Sequence, residues 1–84
     1  MWDKLNYSEQ KIIVQLLNNP LKRVEIAKNL NITSGTLSKP LIKLQELGLI
    51  EINDEQKYQI VDSILGLWLK NEYDTKGVYP YRIS

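Results

Sequence analysis

The chain has 84 residues, 43% hydrophobic and 25% charged with a net charge of +1, which is enough for one soluble domain with one core and no second unit. It contains no His and no Cys, which removes the usual zinc ligands, the Ser-His and Cys-His nucleophile pairs and any disulfide framework. Gly35, Gly48, Gly66 and Gly77 stand apart from one another, so no phosphate-cradling loop exists, and no apolar run is long enough for a membrane span.

In chain order, the first helix is announced by Asn6, with Glu9 three residues on as the reciprocal acid of a capping box; Ser8 is an alternative cap. Ile12, Ile13, Leu16 and Leu17 recur on one face, and Asn18, Asn19 and Pro20 stop the helix. A second short helix is expected over residues 21–30, with Val24, Ala27 and Leu30 along one stripe and Ile26 beside it. Lys22, Arg23, Glu25 and Lys28 occupy its other side. Asn31 takes the sharp turn, because Asn tolerates the left-handed conformation better than any residue except Gly.

Ile32 is expected to dip back into the core, with Thr33 or Ser34 capping a third helix whose apolar stripe is Leu37, Leu41, Leu44 and Leu47; Gly48 closes it. Pro40 inside that helix collides with the carbonyl of Thr36 at a cost of about 3 kcal/mol. Either the helix kinks there, or it starts late with Ser38 as cap and Pro40 in its first turn. Residues 49–52 and 57–60 read as two strands joined by a polar turn, Asn53-Asp54-Glu55-Gln56.

Asp62 caps a fourth helix carrying Ile64, Leu65, Leu67, Trp68 and Leu69, which is apolar on more than one face and needs a cover. Trp68 is expected against the first helix, with a dimer contact as the sharper alternative, and Gly66 hints at a close backbone approach. From Asn71 the periodicity fails, and Tyr73, Gly77, Tyr79, Pro80 and Tyr81 suggest an extended aromatic tail. The division is therefore residues 1–70 as the domain and 71–84 as a tail that packs on the domain or on a partner.

The order helix, helix, tight turn, helix, hairpin is a winged helix-turn-helix, mainly α with a small β-hairpin: a three-helix core, a two-stranded wing and an additional C-terminal helix. Ala27, Asn31 and Leu37, spaced four and then six apart, supply the small residue where two helices cross, the turn, and the residue packed between them. Charge is unevenly spread: between Pro20 and Leu47, Lys22, Arg23, Lys28, Lys39 and Lys43 face only Glu25 and Glu46, while the remainder is net acidic. Double-stranded DNA is the partner this pattern suits. Ser34, Thr36, Ser38, Lys39 and Lys43 are the candidates for the major groove, Lys22 and Arg23 for phosphate, and Lys57 for the basic part of an otherwise acidic wing.

The runs Glu25-Ile26-Ala27-Lys28-Asn29-Leu30, Thr33-Ser34-Gly35-Thr36-Leu37-Ser38-Lys39 and Leu44-Gln45-Glu46-Leu47-Gly48-Leu49-Ile50 are similar to winged helices of the broad MarR and related regulator class. The continuation Tyr58-Gln59-Ile60-Val61-Asp62-Ser63-Ile64-Leu65-Gly66-Leu67-Trp68-Leu69-Lys70 resembles the C-terminal winged-helix domain of the archaeal AAA+ ATPase family. There the wing strand leads through an acidic residue into a Trp-containing helix. This resemblance implies a non-enzymatic module engaging DNA or a partner, with the ATPase module lying N-terminal to these residues.

Two roles follow as expectations. One is DNA binding, as a small transcriptional regulator or as a domain of such an ATPase. The other is protein contact, with the fourth helix and tail docking on an attached ATPase domain, on a separate partner or on a second copy in a homodimer. No cofactor, metal or membrane is expected, and Met1-Trp2-Asp3-Lys4 lacks the basic and apolar start of a secretory signal, which implies a cytoplasmic protein.

Overall fold

After a short 3₁₀ turn, Trp2–Lys4, the first α-helix is capped by Asn6, whose side chain accepts from the Glu9 N–H at 2.9 Å while the Glu9 carboxylate accepts from the Asn6 N–H at 2.8 Å. This reciprocal cap satisfies two of the donors left over at a helix start and launches α1, Tyr7–Gln15. The computed structural model describes residues 2–81. The last three positions of the expected tail lie outside them.

After α1 the chain runs over the exposed Asn18, Asn19 and Pro20 to Leu21. Here it departs from expectation: Leu21 is not helical but exchanges two backbone hydrogen bonds with Tyr58, at 3.1 and 2.7 Å. The helix α2 is accordingly Arg23–Leu30, with Lys22 in the extended N-cap position and its N–H held by Glu25. Its buried face is Ile26 and Ala27, whereas Val24 is 63% exposed. Ala27 and Leu30 of the expected stripe thus pack into or against the core together with Ile26, and only Val24 departs from it.

Asn31 ends α2 in the left-handed conformation at φ 58°, and the Ile32 N–H returns to the Ala27 carbonyl at 3.0 Å. The Ile32 side chain is left exposed rather than buried, because this turn lifts it off the core. A 3₁₀ turn, Ser34–Leu37, then feeds α3, Ser38–Glu46. Thr33 occupies the cap position but its hydroxyl pairs with that of Thr36 at 2.8 Å instead of capping the backbone. Pro40 is the third residue of α3, inside the first turn, so the regular helix starts late and no kink is needed.

Gly48, at φ 75°, turns the chain out of α3, a conformation that costs a side-chain-bearing residue more than Gly. Leu41 and Leu44 are buried beneath the helix, but Leu47 is exposed at its end. The wing consists of β1, Ile50–Ile52, and β2, Tyr58–Ile60, antiparallel with Ile50 opposite Ile60 and Ile52 opposite Tyr58. Its tip is organised by Asn53, whose side-chain oxygen accepts from the Glu55 and Lys57 N–H groups at 2.9 and 3.1 Å. Leu21 bridges β2 from outside the two-stranded sheet.

Asp62 caps α4, Ser63–Lys76, accepting from the Ile64 and Leu65 N–H groups at 3.0 and 3.1 Å. The helix continues past Asn71, where an extended tail was expected. Lys76 pairs with Glu72 one turn earlier at 3.1 Å, and Gly77 at φ 77° supplies the C-terminal turn. Leu65 and Leu69 anchor α4 to a core containing Trp2, Leu5, Ile12, Ile13, Ile26, Leu37, Leu41 and Leu44. Tyr79 and Tyr81 pack against the same core.

The Trp68 ring meets Trp2 edge to face, with centroids 6.1 Å apart, and the Trp2 indole N–H donates to the Pro80 carbonyl at 2.7 Å. Gly66 has no backbone against it; a Cβ there would find only Leu17 Cδ2 at 3.9 Å. Among the described residues no helix is long and apolar enough to cross a membrane.

Candidate nucleic-acid interface

The second helix of the α2–turn–α3 unit is held at two places, its start and its middle. At the start of α3, Arg23 Nε donates to the Ser34 carbonyl at 2.9 Å and Arg23 Nη2 donates to the Ser38 hydroxyl. The planar guanidinium suits this two-point hold, because its donors are fixed relative to one another. Arg23, Ser34 and Ser38, expected as separate DNA contacts, thus form one cluster that sets where α3 begins.

On the opposite flank, Lys43 reaches α1. Its ammonium sits 3.1 Å from one Glu9 carboxylate oxygen and 3.2 Å from the other. The Glu9 side chain is only 3% exposed against 49% for Lys43. A carboxylate so buried needs a partner, and Glu9 has two, Lys43 and the Asn6 N–H. Lys43 is consequently engaged in joining α3 to α1, a role for which nothing in its local sequence was a signal.

Between these two attachments the outward side of α3 presents Lys39, Ile42 and Glu46. Lys39 is exposed and makes no ion pair among the described residues. Ser34 and Thr36 are exposed just before it, and Lys22 is exposed at the start of α2. Lys57 stands apart on the wing, half-buried and 3.8 Å from Glu55, so the tip has little net positive charge. Ile42 was not singled out from the sequence. The spacing of Ile42 from Lys39 by three positions, with Leu41 and Leu44 committed to the core, was the available signal.

Three helices, the turn at Asn31 and the hairpin behind α3 make this a winged helix-turn-helix, a class that reads DNA with its second motif helix in the major groove. Residues 10–51 match the family described as bacterial regulatory protein, arsR family. They make up half of the chain, which belongs to that family, and DNA binding in transcription regulation is accordingly the function of its helix-turn-helix. The match takes in α2, the turn, α3 and the start of β1, and ends before β2 and α4. It does not reach the 58–70 segment on which the resemblance to the archaeal ATPase domain rests. No curated protein and no solved structure matches the chain.

Proposed function

We propose that this chain acts as a small, non-enzymatic transcriptional regulator that sets α3 into the major groove of duplex DNA. Lys39 is the principal base-edge or phosphate contact. Lys22, Ser34 and Thr36 bind the flanking phosphates, and Arg23 and Ser38 fix the angle of approach. The observation that carries this reading is the exposed, unpaired Lys39 at the start of a helix tied down on both flanks. The wing tip, with Asp54 and Glu55 exposed, stays clear of the backbone. Such a role places the protein with the DNA, in the cytoplasm. The regulator branch rests on the family match, whereas the ATPase-appendage branch rests on the resemblance of residues 58–70 alone.

The test is duplex binding by fluorescence anisotropy at low and physiological salt. Binding should weaken as salt rises, each phosphate contact adding about −0.9 to the slope of log affinity against log salt. Lys39→Ala should weaken binding and flatten that slope, while leaving thermal stability unchanged. Absence of binding at low salt would remove the proposal.

A second reading is favoured by α4. Ile64 is 79% exposed and Leu67 62%, with Val61 and Trp68 beside them, an apolar face larger than isolated surface residues require. It serves as the docking face for a second copy, which would present two α3 helices to two half-sites, or for an attached ATPase domain. Leu67→Glu should convert a dimer into a monomer in sedimentation equilibrium. A monomeric parent chain would leave the attached-domain form of the reading.

A further inference from the structure

Between the N-terminal half of α1 and the outward side of α3 runs a groove of about 660 Å³, inside the range of small-molecule sites. Ile12 and Leu37 form its floor, and Leu30, Ile32, Pro40 and Ile42 its walls. Ile32 and Ile42 are both exposed there. Two apolar side chains flanking one concave site form a surface that water covers poorly.

Charge around the groove is arranged lengthwise. Lys11, Lys39 and Lys43 line it together with Glu9 and Glu46. Glu9 is already matched by Lys43. Neither Lys11 nor Lys39 makes an ion pair among the described residues, and Lys11 is held above the Tyr7 ring, 4.6 Å from its centroid. Glu46 lies seven residues beyond Lys39 on α3, about 10 Å along the axis at 1.5 Å per residue. The Lys39 end of the groove is therefore cationic, with an apolar cleft beside it.

We propose that this groove binds a small amphipathic anion, an apolar body bearing one carboxylate. The carboxylate pairs with Lys39, and the apolar body lies between Ile32, Pro40 and Ile42. Because Lys39 is also the DNA contact proposed above, the ligand and the duplex compete for it. That coupling rests on the DNA reading, but the groove itself does not.

The groove is tested first without DNA. The isotopically labelled full chain is titrated with 1-naphthoate and, separately, with the uncharged 1-naphthalenemethanol, and amide shifts are followed. Naphthoate should give saturable shifts centred on Leu30, Ile32, Thr36 and Ile42. The uncharged probe should bind about tenfold more weakly, as should naphthoate to Lys39→Gln, the effect of losing one charge-assisted hydrogen bond. Equal affinity for the two probes, shifts centred on Ile64 and Leu67 of α4, or no saturable shifts would each overturn the site. Competition is read separately, as a fall in duplex affinity on adding naphthoate. A chain that binds naphthoate but never DNA removes the DNA reading and keeps the groove. Binding of both without competition removes the coupling.

Discussion

The Lys43 ammonium and the Glu9 carboxylate, 3.1 Å apart, connect the middle of α3 to the first turn of α1. Since the same carboxylate also accepts the Asn6 N–H, one buried group serves both the cap of α1 and the placement of the recognition helix. Lys43→Met should leave Glu9 with its backbone donor alone, at a cost of about 1–3 kcal/mol. Urea denaturation should show a lower midpoint with an unchanged m-value. At equal folded fraction, DNA affinity should fall less than in Lys39→Ala. The reverse ranking would make Lys43 the DNA contact.

Arg23→Ala should remove the hold on Ser34 and Ser38, which is half-exposed and so is expected to be worth about 1–2 kcal/mol. Amide hydrogen exchange in the 34–37 turn should accelerate ahead of that in α1. Duplex affinity should drop to a similar degree on every sequence, because the loss concerns the pose of α3 rather than a base contact. Arg23→Lys should not restore it, since one ammonium cannot reproduce the two-donor geometry.

Asn31, at φ 58° and ψ 44°, occupies a conformation that costs most residues roughly 1–2 kcal/mol and Gly almost nothing. Asn31→Ala should therefore lower the thermal midpoint, whereas Asn31→Gly should stay close to the parent. Equal effects of the two substitutions would mean that the turn adjusts its backbone.

Burial pushes the Tyr81 phenol above its ordinary range, reinforced by the neighbouring Tyr7 and Tyr79. The folded state thus favours the protonated phenol more than the unfolded chain does. Its contribution is fully present below the ordinary phenol value of about 10 and is lost as pH rises from there through the raised folded value. Unfolding free energy should decline over that alkaline window, and the decline should be shallower in Tyr81→Phe. Equal slopes in parent and variant would show that Tyr81 does not sense the packed environment.

The features legible from sequence were those made within a few residues of chain. The Asn6–Glu9 box, the left-handed Asn31, the Gly48 stop and the Asp62 cap all depend on a side chain or a φ angle meeting its own neighbourhood. Within the α2 stripe only Val24 was misplaced, because Val24 and Ile26 are both apolar and only the position of α1 and α3 decides which is covered. Leu21 left its expected helix for a partner 37 positions away, Tyr58, which no local pattern encodes. The end of α4 was within reach: Glu72, Lys76 and Gly77 form an i,i+4 pair followed by a terminating glycine. On the candidate interface, residue type identified Arg23, Ser38 and Lys43 as polar groups near α3. Their engagement with Ser34, with one another and with Glu9 required the packed helices.

The indole hydrogen bond from Trp2 to Pro80 spans 78 positions, so its closure carries a large loop entropy and follows the more local contacts of the helical motif. Both tryptophans of the chain, Trp2 and Trp68, sit in this clasp. Intrinsic fluorescence is consequently a reporter of the clasp, blind to α2 and α3, while far-ultraviolet dichroism follows all four helices. Superimposable unfolding curves from the two signals would mean that the clasp and the DNA-reading unit open as one cooperative body. An earlier fluorescence transition would mean that the clasp can open while the helix-turn-helix stays folded.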